Sequence, residues 1–117
     1  MISYAMTLPF PPSVNHYWRH ARGRTYVSEA GREYRSAVEA RASGRFATLR
    51  GRLHVLVKLY PPDARRRDVD NSAKALLDAL AHAGVYGDDS QTDKLTLERC
   101  EKAPGGAVFV EIAEVES

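Results

Sequence analysis

Two alternating apolar runs, each cut short by prolines, constrain this fold more than any other feature of the chain. Residues 2–10 put Tyr4, Met6, Leu8 and Phe10 on one face, and residues 52–60 do the same with Leu53, Val55, Val57 and Leu59. A period of two marks a half-buried strand. Pro9, Pro11 and Pro12 stop the first run and Pro61-Pro62 the second, because proline has no N–H to give a ladder. Ser28 can cap a helix over about residues 29–43, with Glu29 favourable in its first turn. Ala30, Tyr34, Ala37 and Val38 form its apolar stripe, and Arg32, Arg35 and Arg41 lie off it. Gly31 is poor helix chemistry, and Gly44 fits the stop. The clearest helix spans 71–83, striped by Ala73, Leu76, Leu77, Leu80 and Ala81 and ended by Gly84. Residues 94–102 and 107–115 form two strands, expected to pair as a hairpin through Pro104-Gly105-Gly106. Residues 11–25 carry no period, and Thr25-Tyr26-Val27 adds a short extended piece. This order predicts an α+β fold, with two helices on one face of a mostly antiparallel sheet of about four strands. The 117 residues make a single domain, 1–117.

Charge divides the chain in two. Residues 1–67 hold 13 Lys/Arg against 4 Asp/Glu, a net of +9, while residues 68–117 hold 4 against 11, a net of −7. A basic half favours a polyanionic partner, since counterion release drives binding to nucleic acid. Twelve of the 13 cations are arginine, whose planar fork of donors fits phosphate. Intermixing of the two halves on folding would leave a mixed surface instead. The lone Cys100 excludes an intrachain disulfide and fits a reducing compartment. No apolar run approaches the roughly 20 residues of a membrane span, and no signal-peptide pattern opens the chain. The expectation is a cytoplasmic protein.

The chemistry concentrates in Arg65-Arg66-Arg67-Asp68-Val69-Asp70-Asn71, with Lys74 one turn further on and Asp88-Asp89 after the helix. Cations suited to phosphate stand beside acids suited to a divalent metal. If the short piece is extended, Asp68 and Asp70 point the same way. Two close carboxylates repel, and a hard cation that takes oxygen ligands relieves this. Lys74, four residues past Asp70, can offset that charge or stabilise a scissile phosphate, or it can be an ordinary helix pair. Asp70 or Asn71 can equally serve as a helix cap, and Asp88-Asp89 can be a solvated turn. A helix from 71 to 83 advances roughly 18 Å. Asp89 therefore joins Asp68 and Asp70 in one chain only if residues 84–89 return almost fully extended. Otherwise it reaches the site of a partner in a dimer. An EF-hand fails, since Ala73 and Ala79 stand where Gly and Glu are needed. Clustered Cys and His for zinc, a Walker loop and a dinucleotide fingerprint are all missing from the sequence.

The stretch Pro9 to His20 mixes rings, prolines and cations. Phe10, Tyr17 and Trp18 can anchor a long loop to the core, or stack on bases where a duplex is broken. Arg19, Arg22 and Arg24 can hold phosphates around such a wedge.

Assembled, these residues resemble the RusA family of Holliday junction resolvases nearly end to end. The resemblance runs through Leu8-Pro9-Phe10-Pro11-Pro12-Ser13, Asn15, Tyr17, Arg19-His20, Arg22-Gly23-Arg24-Thr25 and Val27-Ser28. It continues through Arg65 to Asn71, Lys74, Asp78-Ala79-Leu80, Ala83-Gly84 and Asp88-Asp89. It implies a small α+β homodimeric endonuclease of DNA recombination and repair that binds four-way junctions and makes two symmetric nicks with Mg²⁺, Mn²⁺ being able to substitute. It also implies metal-binding, essential acids at Asp68, Asp70 and Asp89, and an active-site lysine at Lys74. The expected DNA contacts are Arg19, Arg22, Arg24, Arg65, Arg66, Arg67 and Lys74. Val85-Tyr86 departs from the family's more aromatic pair. A noncatalytic nucleic-acid binding module and a hydrolase of small nucleotides are the competing readings.

Overall fold

The structure, a computed structural model, describes residues 2–42 and 44–115. Six strands and three helices follow one another in the order β1 (Ile2–Leu8), α1 (Val14–Tyr17), β2 (Trp18–Ala21), β3 (Arg24–Val27), α2 (Glu29–Ala42), β4 (Arg52–Tyr60), α3 (Ala73–His82), β5 (Thr92–Arg99) and β6 (Ala107–Val115). Four strands make one sheet in the order β1-β6-β4-β5, and β2 and β3 make a separate hairpin. This is the expected α+β architecture, with one short helix and one hairpin more than the sequence pattern showed.

The two apolar runs become β1 and β4, as their alternation requires. Register aligns their inward residues into rows across the sheet. Tyr4 lies opposite Ile112, which lies opposite Val55, which lies beside Leu95; Met6, Val110, Val57 and Leu97 form the next row. Leu8, Val108 and Leu59 begin a third row, which ends in Arg99 instead of an apolar residue. Tyr34, Val38 and Ala42 of α2 and Leu76, Ala79 and Leu80 of α3 cover this face. Each fully buried Leu, Val or Ile contributes about 1.5–3 kcal/mol, so this layer holds the sheet and both helices together.

The expected β5–β6 hairpin is not formed. β5 runs parallel to β4, and β6 lies antiparallel on β4's other side. Strand β4, helix α3 and strand β5 form a crossover unit, the connection that parallel pairing demands. The chain then passes around the end of β4, where Cys100 N–H donates to Leu59 (2.8 Å) and Ala103 N–H to Pro61 (2.9 Å). Gly105 and Gly106 complete that passage at φ of 76° and 71°. A Cβ at Gly106 would stand 2.9 Å from that of Phe10, so these glycines serve a close crossing and not a tight two-strand turn.

Helix α2 starts as expected, with Gly31 N–H donating to the Ser28 hydroxyl at 3.0 Å. Ser43, the last residue expected in it, lies outside the described residues. The same hydroxyl donates to the Tyr17 carbonyl (3.0 Å), pinning the base of the β2–β3 hairpin to the helix. Gly31 owes its place to packing: a Cβ there would lie 2.5 Å from the Tyr17 carbonyl oxygen and 2.6 Å from Val27 Cγ1.

Candidate active site

The segment between β4 and α3 carries the expected acids and three arginines. It is a turn, not an extended piece: Asn71 N–H donates to the Asp68 carbonyl (3.1 Å) and Ala73 N–H to that of Asp70 (3.2 Å). Strand alternation therefore does not align Asp68 and Asp70. Their backbone turn does, and both line one shallow depression with Arg66, Arg67, Val69 and Arg99. Neither Asp70 nor Asn71 caps α3; the cap position is Ser72, with no side-chain cap bond. A backbone bond from Val14 N–H to the Asn71 carbonyl (2.9 Å) ties the N-terminal loop to this turn.

The three arginines differ in their duties. Arg67 donates to the Asp63 carboxylate at 2.7 Å and lies 5.7 Å from the centre of the Phe10 ring. Arg67, with the Arg65 backbone N–H, holds the Asp63 carboxyl well below the usual carboxylate range. Arg65 is mostly exposed and makes only a looser contact to Asp63, at 3.4 Å. Arg66 is exposed with no ion pair among the described residues. Arg99 was not foreseen. It donates to the Arg67 carbonyl and lines the same depression as the two acids. Its signal lay in the parallel pairing of β4 with β5, which sets Arg99 beside Leu59; the expected hairpin concealed it.

Lys74 stands on the exposed side of the first turn of α3, its ammonium 5.9 Å from the centre of the Trp18 ring. Trp18 packs edge-on against Tyr17, with ring centres 4.3 Å apart. Tyr17 is fully buried, and its hydroxyl donates to Asp78. Arg35 donates to the same Asp78 oxygen at 2.7 and 3.0 Å. Burial, then the Asp78 hydrogen bond, pushes the Tyr17 hydroxyl far above the ordinary tyrosine value. Tyr17 is thus core, while Trp18 is half-buried beside the lysine. The segment that lacked a period in sequence is a hairpin whose turn, Arg22-Gly23, has φ of 53° and 73°. Positive φ at both turn residues matches the twist of a two-residue hairpin, and a glycine between two short ring-and-cation runs was its signal. Arg19, Arg22 and Arg24 are exposed on it.

Asp89 lies elsewhere. It opens a 3₁₀ turn, Asp89–Gln91, just before β5. Gln91 fastens that turn to the start of β4, donating to the Leu49 (3.1 Å) and Gly51 (2.9 Å) carbonyls. The chain does not return in extended form after α3, because Gly84 (φ 82°) and a Val85 N–H to Leu80 bond (3.1 Å) fold it back on the helix end. Asp68 and Asp70 sit past the far end of β4. The paired stretch from Leu53 to Leu59 spans roughly 20 Å at ~3.3 Å per residue. Within one chain the three acids do not converge, and no group of three or more His, Cys, Asp or Glu among the described residues could hold a metal.

The seven aspartates nevertheless sort cleanly. Asp63, Asp78 and Asp93 each pair with an arginine, and Asp88 caps its own turn and accepts from Ser90. Asp68, Asp70 and Asp89 have no side-chain hydrogen bond or ion pair among the described residues. A depression with two free carboxylates beside guanidinium groups offers hard oxygen donors for a divalent ion, with room for water and phosphate to complete the shell.

Hard oxygen donors beside guanidinium groups, on an α+β scaffold, suit chemistry at a phosphodiester. The family model described as endodeoxyribonuclease RusA matches residues 9–113. A crossover junction endodeoxyribonuclease of Enterobacteria phage HK97 is 42% identical over all of this chain and 99% of its own length. Crossover junction endodeoxyribonucleases of Enterobacteria phage 82 and Escherichia coli K12 are each 38% identical over 98% of both chains. The chain belongs to the RusA family of endodeoxyribonucleases.

Proposed function

We propose that this chain cuts four-way DNA junctions by paired symmetric nicks, with Mg²⁺ as cofactor and Mn²⁺ as a substitute. The observation that carries the reading is the sorting of the aspartates: among the described residues four are engaged and three have no side-chain partner, the three that the family resemblance makes essential. Asp68 and Asp70 would hold the ion, with Asp89 completing the set from a second copy. When bound, the ion would supply positive charge to the scissile phosphate and increase the acidity of a water beside it. The chain's own groups do the rest. Exposed Arg19, Arg22, Arg24, Arg65 and Arg66 grip the DNA backbone, and their forked donors suit phosphate. Lys74, steadied over Trp18, adds positive charge where the phosphate gains negative charge. Arg67, already paired with Asp63, shapes the turn and adds its charge to the depression. Two opposed nicks call for two equal sites, which a two-fold homodimer supplies. The free thiol of Cys100 and a DNA substrate fit the cytoplasm.

The competing reading is a noncatalytic DNA-binding module, favoured by the distance of Asp89 from the other acids in a single chain. A labelled four-way junction separates the two. The nuclease reading expects nicks at symmetric positions with Mg²⁺, none with EDTA, and none from Asp89→Asn despite retained binding. Tight, salt-sensitive binding without scission in either metal would overturn it.

A further inference from the structure

Three rings stand where the sequence pattern allowed stacking on bases, and the fold engages each of them within the chain. Tyr17 is buried, Phe10 packs on the core beside Arg67, and Trp18 lies between Tyr17 and Lys74. The one exposed ring among the described residues is Tyr26, with 47% of its surface open. A lone exposed apolar residue is ordinary; its surroundings single this one out. Tyr26 stands on the β2–β3 hairpin directly across from Arg19, and two pairs nearer the tip Ala21 faces Arg24. Side chains alternate along a strand, so Tyr26, Arg19 and Arg24 share one face with only the small Ala21 beside them. Trp18 and Val27, and then His20 and Thr25, take the other face. There Val27 packs against Gly31 and Trp18 against Tyr17, while His20 Nδ1 and the Thr25 hydroxyl share a hydrogen bond of 2.8 Å. That face is used within the chain, and the Tyr26 face is not.

The charges agree. Residues 1–28 contain no Asp or Glu. Arg19 and Arg24 have no ion pair among the described residues. Glu29 and Glu33, the first acids after the hairpin, line a cleft with Trp18, Arg19 and His20, and neither Tyr26 nor Arg24 borders it. A ring flanked by guanidinium groups suits an unstacked nucleotide, whose base lies on the ring and whose phosphates meet the cations. Continuous duplex hides its base faces inside the stack. A four-way junction interrupts the stack at its branch point, and base faces open there. Trp18, at the root of the hairpin, adjoins the Lys74 ammonium, so the hairpin stands beside the proposed cutting site.

We infer that Tyr26 is a stacking platform for a base at the branch point, with Arg19 and Arg24 holding the phosphates on either side of that nucleotide. The inference rests on the proposed junction substrate but needs no metal, so binding is measured by fluorescence anisotropy in EDTA, where nothing is cut. The parent chain is expected to bind a four-way junction more tightly than a duplex of the same length. Tyr26→Ala should weaken junction binding roughly tenfold and change duplex binding by less than about twofold. Tyr26→Phe keeps the ring and should match the parent. Arg24→Ala should weaken binding to both DNAs and lower the salt dependence of both. On the unaltered chain, irradiating a junction that carries 5-iodo-deoxyuridine at the branch point should crosslink it to Tyr26, since this analogue couples to a ring stacked upon it. If Tyr26→Ala loses junction and duplex affinity equally, the hairpin docks in a groove and the stacking role is overturned. It is overturned too if Tyr26→Ala leaves junction affinity unchanged and the crosslink falls on another residue. A parent with no preference for the junction defeats the junction substrate and the inference with it, whereas a failure to nick junctions in Mg²⁺ defeats only the nuclease reading.

Discussion

Asp70 and Asp78 lie eight residues apart, on either side of the start of α3, and their surroundings are opposites. Asp78 accepts from Arg35 and from the Tyr17 hydroxyl, and it joins α1, α2 and α3 at one point. Asp70 sits in an exposed turn with no side-chain partner among the described residues, although arginines stand near it. Acids whose charge is met inside the chain hold the fold together. Acids left unmet beside cations are available to something the chain does not contain. The guanidinium groups follow the same division: Arg35 and Arg67 are committed to carboxylates, and Arg66 is not.

The sharpest test replaces one acid from each side. Asp70→Asn removes a carboxylate charge proposed to hold the ion, and losing several kcal/mol of transition-state stabilisation corresponds to a fall on the order of 10³-fold in single-turnover junction cleavage. Its melting temperature should hold, since exposed substitutions away from packed features stay within about 0.5 kcal/mol, and junction binding should persist. Asp78→Asn should do the reverse. Weakened charge-assisted bonds to Arg35 and Tyr17 cost about 1.5–3 kcal/mol in urea unfolding, with cleavage per folded molecule little altered. If Asp78→Asn proved fully stable, or Asp70→Asn unfolded the protein, the division between structural and functional acids would collapse.

A second pair of regions differs in how the hairpin and the sheet are held. The sheet is fixed by rows of buried apolar residues, but β2 and β3 are almost fully exposed and hang on their base. That base is Ser28, Tyr17 and Gly31. Gly31→Ala inserts a Cβ 2.5 Å from a backbone oxygen, which must move the hairpin or the start of α2. A loss of about 1–3 kcal/mol follows for such overpacking. Hydrogen exchange should locate the loosening in residues 14–31 and leave β4 and β6 protected; uniform loss of protection would show that the hairpin is not a separately held unit.

What the sequence disclosed, and what it hid, follows from the range of the interactions. Strands β1 and β4 and both long helices were legible because their periodicity is local and their stops are proline or glycine. The partner of β5 was not, because Pro104-Gly105-Gly106 carries the same local turn signal whether it closes a hairpin or steps around the end of β4. Only the space between Phe10 and Pro62 distinguishes the two, and that is a tertiary contact. The residue types of the site were legible from Arg65 to Lys74. Its geometry was not: the turn at Asp68–Ser72 replaces the extended piece, and Asp89 stays at the other end of β4 because Gln91 ties it there. Arg99 was missed because its strand was foreseen but the parallel pairing that sets it beside Leu59 was not.

The smallest expected effect probes where the two kinds of region meet. Trp18 has one face toward Lys74 and an edge on the buried Tyr17, so it connects the structural cluster at Asp78 to a candidate catalytic ammonium. Trp18→Leu keeps an apolar side chain on Tyr17 but removes the aromatic face, whose attraction for an ammonium is worth about 0.5–1 kcal/mol at exposed sites. Cleavage at saturating junction should fall by roughly two- to fivefold, while the unfolding midpoint shifts little. The decisive arm is the double change. If the ring acts by holding Lys74, then Trp18→Leu costs nothing further once Lys74 is alanine, because the group it positions is gone. If the two losses multiply, Trp18 acts on DNA directly, as a stacking surface for bases, and the chain from Asp78 through Tyr17 to Lys74 is only proximity.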